Sequence, residues 1–334
     1  MDIGCLFPPT MDTPEHIRVA EELGYAYAYV YDSPAFLADP WMTLALSAER
    51  TSRIRIGVAA ITPRLRHLVA NAGAIATLCT LAPDRVDVVV GSGFTSQLML
   101  GKGPARWAEV EAYVLALKAL LRGEDVEWDG AIVGLKHGAL AGVKLPQRPP
   151  ILVAAHGPKG YAVAARSADG VVTNLGHHTA NTGADDMSDW MILYYGTVLD
   201  DGEPLSSERV VDAAGPAATF QLHIGAQGMV SHLPEWAAYE EAMTAFPADR
   251  RHLETHRGHL IEVTDLERPL VSADLIRATT GSGSPADVRR NLDDIEGQGV
   301  KGVLYGPMGP DIPRELAAFA ATAGITRDGI GQPR

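Results

Sequence analysis

The residues able to do chemistry fall in a few short segments. Asp32-Ser33-Pro34, Gly91-Ser92-Gly93-Phe94-Thr95 and Ala155-His156-Gly157-Pro158-Lys159-Gly160 each follow an apolar run, where a strand hands the chain to a loop. Asp32 is a carboxylate that could orient a ligand or cap the helix after it. Gly157 to Gly160 opens a helix, and its backbone N–H groups would welcome an anion such as phosphate. His156, beside it, could face that ligand or satisfy a loop carbonyl. His252, His256 and His259 step by four and three residues, a spacing that can put imidazoles on one helix face as zinc ligands. Their order is HxExH rather than HExxH, and Gly258 would loosen a helix before the third ring. Solvent-facing or lid histidines are therefore expected, and no metal is assigned. Gly281-Ser282-Gly283-Ser284 resembles a phosphate cradle but lacks the Gly-Lys-Ser/Thr that would follow one, and reads equally as a joint before a capped helix. Arg64, Arg66, Lys102, Arg106 and Lys159 lie near strand ends, where they could meet an anionic ligand tail or remain solvated.

What must position these segments is an alternation of short apolar runs with amphipathic stretches, the signal of parallel strands crossed over by helices. Strand then helix read Ile3 to Phe7 with Pro14 to Leu23, Tyr25 to Tyr31 with Pro40 to Arg50, Ile54 to Ile61 with His67 to Leu81, and Val86 to Val90 with Pro104 to Leu121. In the last helix Trp107, Val110, Val114, Leu117 and Leu121 make one apolar face. After a polar, Gly-rich crossing from Gly123 to Arg148, Pro150 to Ala155 reads as strand five, Lys159 to Ala168 as its helix and Val171 to Thr173 as strand six. Ala217 to Ile224, with Phe220, Leu222 and Ile224 alternating with polar residues, reads as strand seven. Val300 to Tyr305 is strand eight, preceded by the helix Pro285 to Glu296 with Ser284 at its N-cap and followed by one from Ile312 to Ala323. Residues 176 to 215 and 226 to 283 exceed ordinary loops and must carry helices of their own.

Eight such units in 334 residues predict a single (β/α)₈ barrel, one domain with insertion segments after strands six and seven. A doubly wound sheet would want GxGxxG after strand one, and Leu6-Phe7-Pro8-Pro9 does not supply it. In a barrel the strand ends would gather Asp32, Ser33, Ile61, Thr62, Ser92 to Thr95, His156, Gly157, Asn174, His223 and Tyr305. Few of these ionise near neutrality, which argues against hydrolysis by paired carboxylates or a metal. Small residues dominate instead, and they let a flat, wide ligand lie against backbone.

Composition narrows the partners. The 28 Lys and Arg against 41 Asp and Glu give a net charge of −13, so duplex nucleic acid and anionic membranes are disfavoured. No uncharged run approaches the ~18 residues of a membrane helix, and the N-terminal residues lack a signal-peptide pattern, so a cytoplasmic location is expected. Cys5 and Cys79 sit among apolar residues, as reduced core thiols do.

His67 to Gly93, HLVANAGAIATLCTLAPDRVDVVVGSG, resembles the luciferase-like superfamily, in which an Ala-rich third helix, an APxR turn and a G-S/T-G strand end follow one another. Pro104 to Gly130, Ile151 to Thr173 and Gly283 to Pro310 are similar to its methylenetetrahydromethanopterin reductase-like, deazaflavin-dependent branch. The resemblance covers roughly residues 1 to 175 and 283 to 325. It implies a barrel with an insertion region, a homodimer, and coenzyme F420 or FMN in the barrel mouth. Asp32 and Ser33 match the place where relatives carry Asp-His beside the ring, with Asp32 and His156 as the candidate catalytic groups. Ala60 and Ile61 match a strand-three bend, often a non-prolyl cis peptide, that backs the ring. Ser92, Gly93, Phe94 and Thr95 match the ring-edge and ribityl segment, Ala155 to Gly160 the phosphate segment, and Asn174 completes the cofactor-binding set.

Two positions depart from the pattern. Phe94 stands where sugar-phosphate and alcohol dehydrogenases of that branch place a glutamate acid, and Ser33 replaces a familiar histidine base. The resemblance therefore implies hydride transfer between F420 and a small organic electrophile (C=N, C=C or C=O), without those relatives' acid–base chemistry. An FMN-dependent monooxygenase and a non-catalytic flavin- or deazaflavin-binding barrel are the alternatives. The insertion would close over the substrate.

Overall fold

The computed structural model describes residues 1–175, 189–224 and 230–326. In chain order the first half comprises β1 (Asp2–Phe7), α1 (Thr13–Leu23), β2 (Tyr27–Val30), α2 (Pro40–Arg50), β3 (Arg55–Ile61), α3 (Leu68–Leu81), β4 (Val86–Val90), α4 (Phe94–Leu98) and α5 (Trp107–Leu121). There follow β5 (Val126–Trp128), β6 (Ala131–Val133), β7 (Ile151–Ala154), α6 (Pro158–Ser167), β8 (Gly170–Asn174) and β9 (Trp190–Tyr195). The remainder is α7 (Glu208–His223), α8 (Pro234–Met243), α9 (Arg251–Thr255), α10 (Ala273–Thr279), α11 (Pro285–Glu296), β10 (Gly302–Gly306) and α12 (Ile312–Ala323).

Eight strands close a barrel in the order β1-β10-β9-β8-β7-β4-β3-β2, the (β/α)₈ architecture expected. Strands buried on both faces carry near-continuous apolar runs, as in the Val-rich β4. Leu6, Tyr27, Tyr29, Ala59, Val89, Leu152, Val172, Met191 and Leu304 fill the interior, and Tyr31, Ala60, Ala154 and Leu193 pack on them half-buried. The buried acid of β4, Asp87, is neutralised: Arg55 pairs with it at 2.5 Å and the Tyr29 hydroxyl donates to it at 2.9 Å.

The chain divides into two compact units. Among the described residues one holds Met1–Leu193 and Val300–Leu304; the other holds Tyr194–Gly299 and residues 305–326. The second has its own core of Val210, Ala214, Ala218, Leu222, Val230, Tyr239, Val263, Leu275 and Ile276. An ion network ties its ends together: Arg209 and Arg314 each contact Glu315 at 2.9 Å, and Arg209 also pairs with Glu203.

Three sequence expectations are corrected. Ala217 to Ile224 is no strand but the end of α7, a helix capped by Ser207. Its short alternation is outweighed by a three- and four-residue spacing of Val210, Ala213, Ala214, Ala217, Ala218 and Leu222, all buried. Strand seven is β9, whose apolar Trp190–Tyr195 run lies within the excursion assigned to 176–215; residues 176–188 and 225–229 of the excursions lie outside the described residues. Within the polar crossing the chain forms the β5–β6 hairpin, turned by Asp129-Gly130 with both φ positive (52° and 79°). An Asp-Gly pair between two short apolar runs is the local signal of such a turn.

Candidate functional site at the strand ends

Side chains alternate along each strand, and at the bulge in β3 Ala60 joins Ala59 on the inward side, so the inward positions that end the core layer are Tyr31, Ala60, Gly91, Ala154, Asn174 and Leu193. The first is a large ring; three of the others are nearly side-chain-free. A Cβ placed on Gly91 would stand 3.2 Å from Ala60 Cβ and 3.6 Å from Ala154 Cβ, so these three residues share one small patch. A half-open floor of this kind accepts a planar ring without a hole to fill beneath it.

A bulge shapes the edge of that floor. In the β3–β4 pairing Ala59 faces Val89 and Ile61 faces Val90, which leaves Ala60 as the extra residue. The non-prolyl cis bond lies between Ala59 and Ala60, not at Ala60-Ile61 as expected; the bulge begins one residue earlier than the pattern suggested. Gly91 N–H donates to Ile61 carbonyl at 2.9 Å and re-anchors the strands past it.

Beyond β4, Gly93 adopts φ +79°, and a Cβ there would meet Thr62 Cγ2 at 2.7 Å, so only glycine fits this turn. It starts α4, in which Ser96 and Gln97 are buried. Gln97 donates to Thr62 Oγ1 at 3.4 Å, while its Oε1 and Ser96 Oγ are buried without a partner among the described residues. Both atoms belong to the short helix that follows the Gly93 turn, and an unmet buried polar group is one that a ligand could satisfy. Sequence reasoning missed Ser96 and Gln97, because nothing in their pattern marks them as inward-facing. Phe94 and Thr95 are half-buried.

At the end of β7 a helix starts at the Gly157-Pro158 segment, next to where the sequence placed one. α6 begins at Pro158 with Gly157 as an N-cap that has no side chain to satisfy the helix start. Added to Gly157, a Cβ would meet nothing within 4 Å, whereas on Gly160 it would strike Trp107 Cη2 and Ala155 Cβ, both at 2.6 Å. Gly160→Val should therefore lower stability by about 1–3 kcal/mol in a urea melt through overpacking against α5, while Gly157→Ala leaves the melt nearly unchanged. His156 is exposed, with Nδ1 3.5 Å from Thr173 Oγ1. Lys159 is exposed, and Asn174, which faces Leu193 on β9, is half-buried.

Asp32 does not cap a helix; Asp39 does, accepting from Trp41 N and Met42 N at the start of α2. Instead Asp32, its carboxylate fully covered, binds Arg66 through Nη2 at 3.1 Å and Nε at 3.3 Å. Arg66 also pairs with Asp39 at 2.9 Å. Burial pushes the Asp32 carboxyl above its usual value, while Arg66 pulls it down. Ser33 is buried beside it. Arg64 and Arg106 both reach Glu109, so of the basic residues near the strand ends Arg66 is the one drawn onto a buried acid. Its type was read from the sequence; its pairing across 34 residues was not. His67, as a helix-start histidine should, accepts from Val69 N at the cap of α3.

Two further residues expected at strand ends do not line the barrel mouth: Tyr305 lies near the end of β10 with its ring against α12, and His223 is on a helix. Tyr305 is fully buried, stacked on Phe319 with centroids 3.9 Å apart, and donates to Glu315. His223 ends α7 and joins His256 and His259, which are buried rather than solvent-facing. Gly258, with φ +71°, lies just past the end of α9, and the turn it makes folds His259 back toward His256. Burial pushes His256 down to about 4 and His259 well below the ordinary histidine value. The Gly281–Ser284 segment is no cradle: Gly281 N and Gly283 N donate to Tyr195 and Thr197 carbonyls, and Ser284 caps α11.

The fold is a parallel (β/α)₈ barrel with a floor of small residues at its strand ends. A family model described as luciferase-like monooxygenase matches residues 8–193, more than half the chain, and the chain belongs to that family. It is 34% identical over 176 residues to an F420-dependent glucose-6-phosphate dehydrogenase of Beutenbergia cavernae, covering 47% of this chain and 51% of that protein. This match spans about half the length of the curated relative. Over 333 residues the chain is 26% identical to a 5,10-methylenetetrahydromethanopterin reductase of Archaeoglobus fulgidus, covering 95% and 96%. The coenzyme F420-dependent tetrahydromethanopterin reductase of Methanopyrus kandleri has the same fold, with a TM-score of 0.72, 20% identity and 99% of each chain covered. Among the described residues no helix is long and apolar enough to cross a membrane.

Proposed function

We propose that this chain is an F420-dependent oxidoreductase that passes hydride between the deazaflavin and a small organic electrophile. The observation that carries the reading is the Ala60–Gly91–Ala154 floor at the strand ends, in a chain similar to two F420-dependent enzymes. The residues fit such a group: a flat floor for the ring, the orphaned Ser96 and Gln97 oxygens for its polar edge, and the uncapped start of α6 for its phosphate. When bound, F420 supplies the hydride chemistry. Ala60, Gly91 and Ala154 hold the plane of the ring, Ser92 to Thr95 fix its side, and Ala155 to Gly160 hold its phosphate. Asp32 acts as a positioning residue that holds the Arg66 guanidinium at the edge of the site, and His156 is placed to carry a proton at its exposed ring. The same reading includes pairing of the chain as a homodimer in the cytoplasm, which light scattering and fractionation test.

A second reading is an FMN monooxygenase, monooxygenase being the activity in the description of the family model that matches residues 8–193. Titrating the purified chain with F420 and with FMN separates the two. F420 fluorescence quenching at micromolar chain, with weak FMN binding, is expected. Tight FMN binding with oxygen-dependent turnover, and no affinity for F420, overturns the proposal. Binding of either cofactor without redox turnover across a carbonyl, imine and enone panel would point to a non-catalytic barrel.

A further inference from the structure

We propose that His223, His256 and His259 form a binding site for a divalent ion of the zinc class, a site that uses none of the strand-end residues. One nitrogen from each ring lies within 4.8 Å of the others, and all three residues are buried. His223 Nδ1 and His256 Nδ1 lie 2.8 Å and 3.5 Å from His259 Nδ1. Three imidazole nitrogens around a tetrahedral zinc, each at ~2.0–2.1 Å from the ion, stand about 3.3 Å from one another. The two spacings fall on either side of that value. An ion placed among them would engage three lone pairs that hydrogen bonding can satisfy only in donor–acceptor pairs.

The surroundings are those of a ligand set. His223 turns its other nitrogen, Nε2, onto Glu267 Oε1, and Glu267 Oε2 is held by Thr264 N at 3.0 Å and Thr264 Oγ1 at 2.8 Å. A carboxylate fixing the far side of an imidazole sets which nitrogen faces a metal and raises its basicity. The backbone is shaped for the same purpose. His223 ends α7, while Gly258 and Leu260, with φ of +71° and +56°, turn the chain so that residues three apart present both rings to it. A cavity of about 510 Å³ lined by Trp236, Tyr239, Arg251 and Thr255 reaches His223. An all-imidazole set selects zinc, nickel or copper over magnesium or calcium.

The test uses the full chain, stripped with EDTA and shown to be folded by circular dichroism. Titration with Zn²⁺ against a chromophoric chelator should give one ion per chain, and Co²⁺ should produce the intense visible band of a tetrahedral nitrogen-rich site. His256→Gln should weaken Zn²⁺ binding at least about a hundredfold, and Glu267→Gln, acting through His223, about 10–100-fold. The proposal fails if the folded chain shows no stoichiometric Zn²⁺ binding and no tetrahedral Co²⁺ band. It fails equally if a His256→Gln/His259→Gln variant binds Zn²⁺ as the parent does. Should the variants not fold, the Zn²⁺ stoichiometry and Co²⁺ spectrum of the parent decide alone. None of these readouts depends on F420, so the outcome is independent of the barrel's activity.

Discussion

Ala154→Leu is expected to weaken F420 binding by at least about a hundredfold, or ~2.7 kcal/mol, while leaving the melting temperature almost unchanged. Ala154 ends β7 on the inward side, half-buried, with its Cβ 3.6 Å from the point where a Gly91 side chain would begin. Three more carbons there project over the floor rather than into the packed layer of Leu152, Val89 and Val172 beneath it. The folded chain thus meets little strain, but a planar ring can no longer lie against β4 and β7 together. Ala60→Leu acts from the opposite side of the same patch and should match it. Ala154→Gly, which only deepens the floor, should change affinity severalfold at most. Fluorescence quenching titrations with thermal melts read both effects. An A154L protein that binds F420 like the parent would place the ring elsewhere and remove the basis for the proposed function.

The barrel was legible because its strands are short apolar runs whose ends carry Gly, Ala, Ser and Pro, a local signal repeated along residues 3 to 173. The strand ends that matter most followed from it directly: Gly91 to Thr95 and Ala155 to Gly160 lie where expected. What was not legible depends on contacts distant in sequence. Helix α7 reads as a strand over Ala217 to Ile224, where Phe220, Leu222 and Ile224 alternate with polar residues, and only the spacing that runs on from Val210 through Ala218 to Leu222 shows the helical period. Asp32 is visible as an acid at a strand end, yet its pairing with Arg66 depends on the loops after β2 and β3 meeting. The histidine cluster failed for the same reason: His252 sits closer in sequence, but His223, more than thirty residues away, is the ring that α7 delivers.

Arg66→Met should cost about 3–5 kcal/mol, because it leaves the covered Asp32 carboxylate without its counter-charge. For a domain of ordinary stability, ~5–15 kcal/mol, that is a large fraction. The deficit should depend on pH with a definite sign. Burial already raises the Asp32 carboxyl in the folded chain, and losing Arg66 raises it further. Between the unfolded value of ~3.9 and the higher folded one, the folded chain binds more protons than the unfolded, so its stability falls as pH rises. The variant should therefore come closest to the parent in acid and fall furthest behind at neutral pH and above. Asp32→Asn in the Arg66→Met background removes the buried charge and should recover most of the loss, a coupling that urea melts of the four proteins in a double-mutant cycle measure directly. Activity separates the two possible uses of the pair. If Asp32 serves to hold Arg66 against the bound ligands, the double variant regains stability but stays about a hundredfold down in kcat/KM, the order of loss that a misplaced group causes. Return of turnover along with stability would reduce the pair to a device of the fold and leave His156 as the remaining candidate for proton transfer.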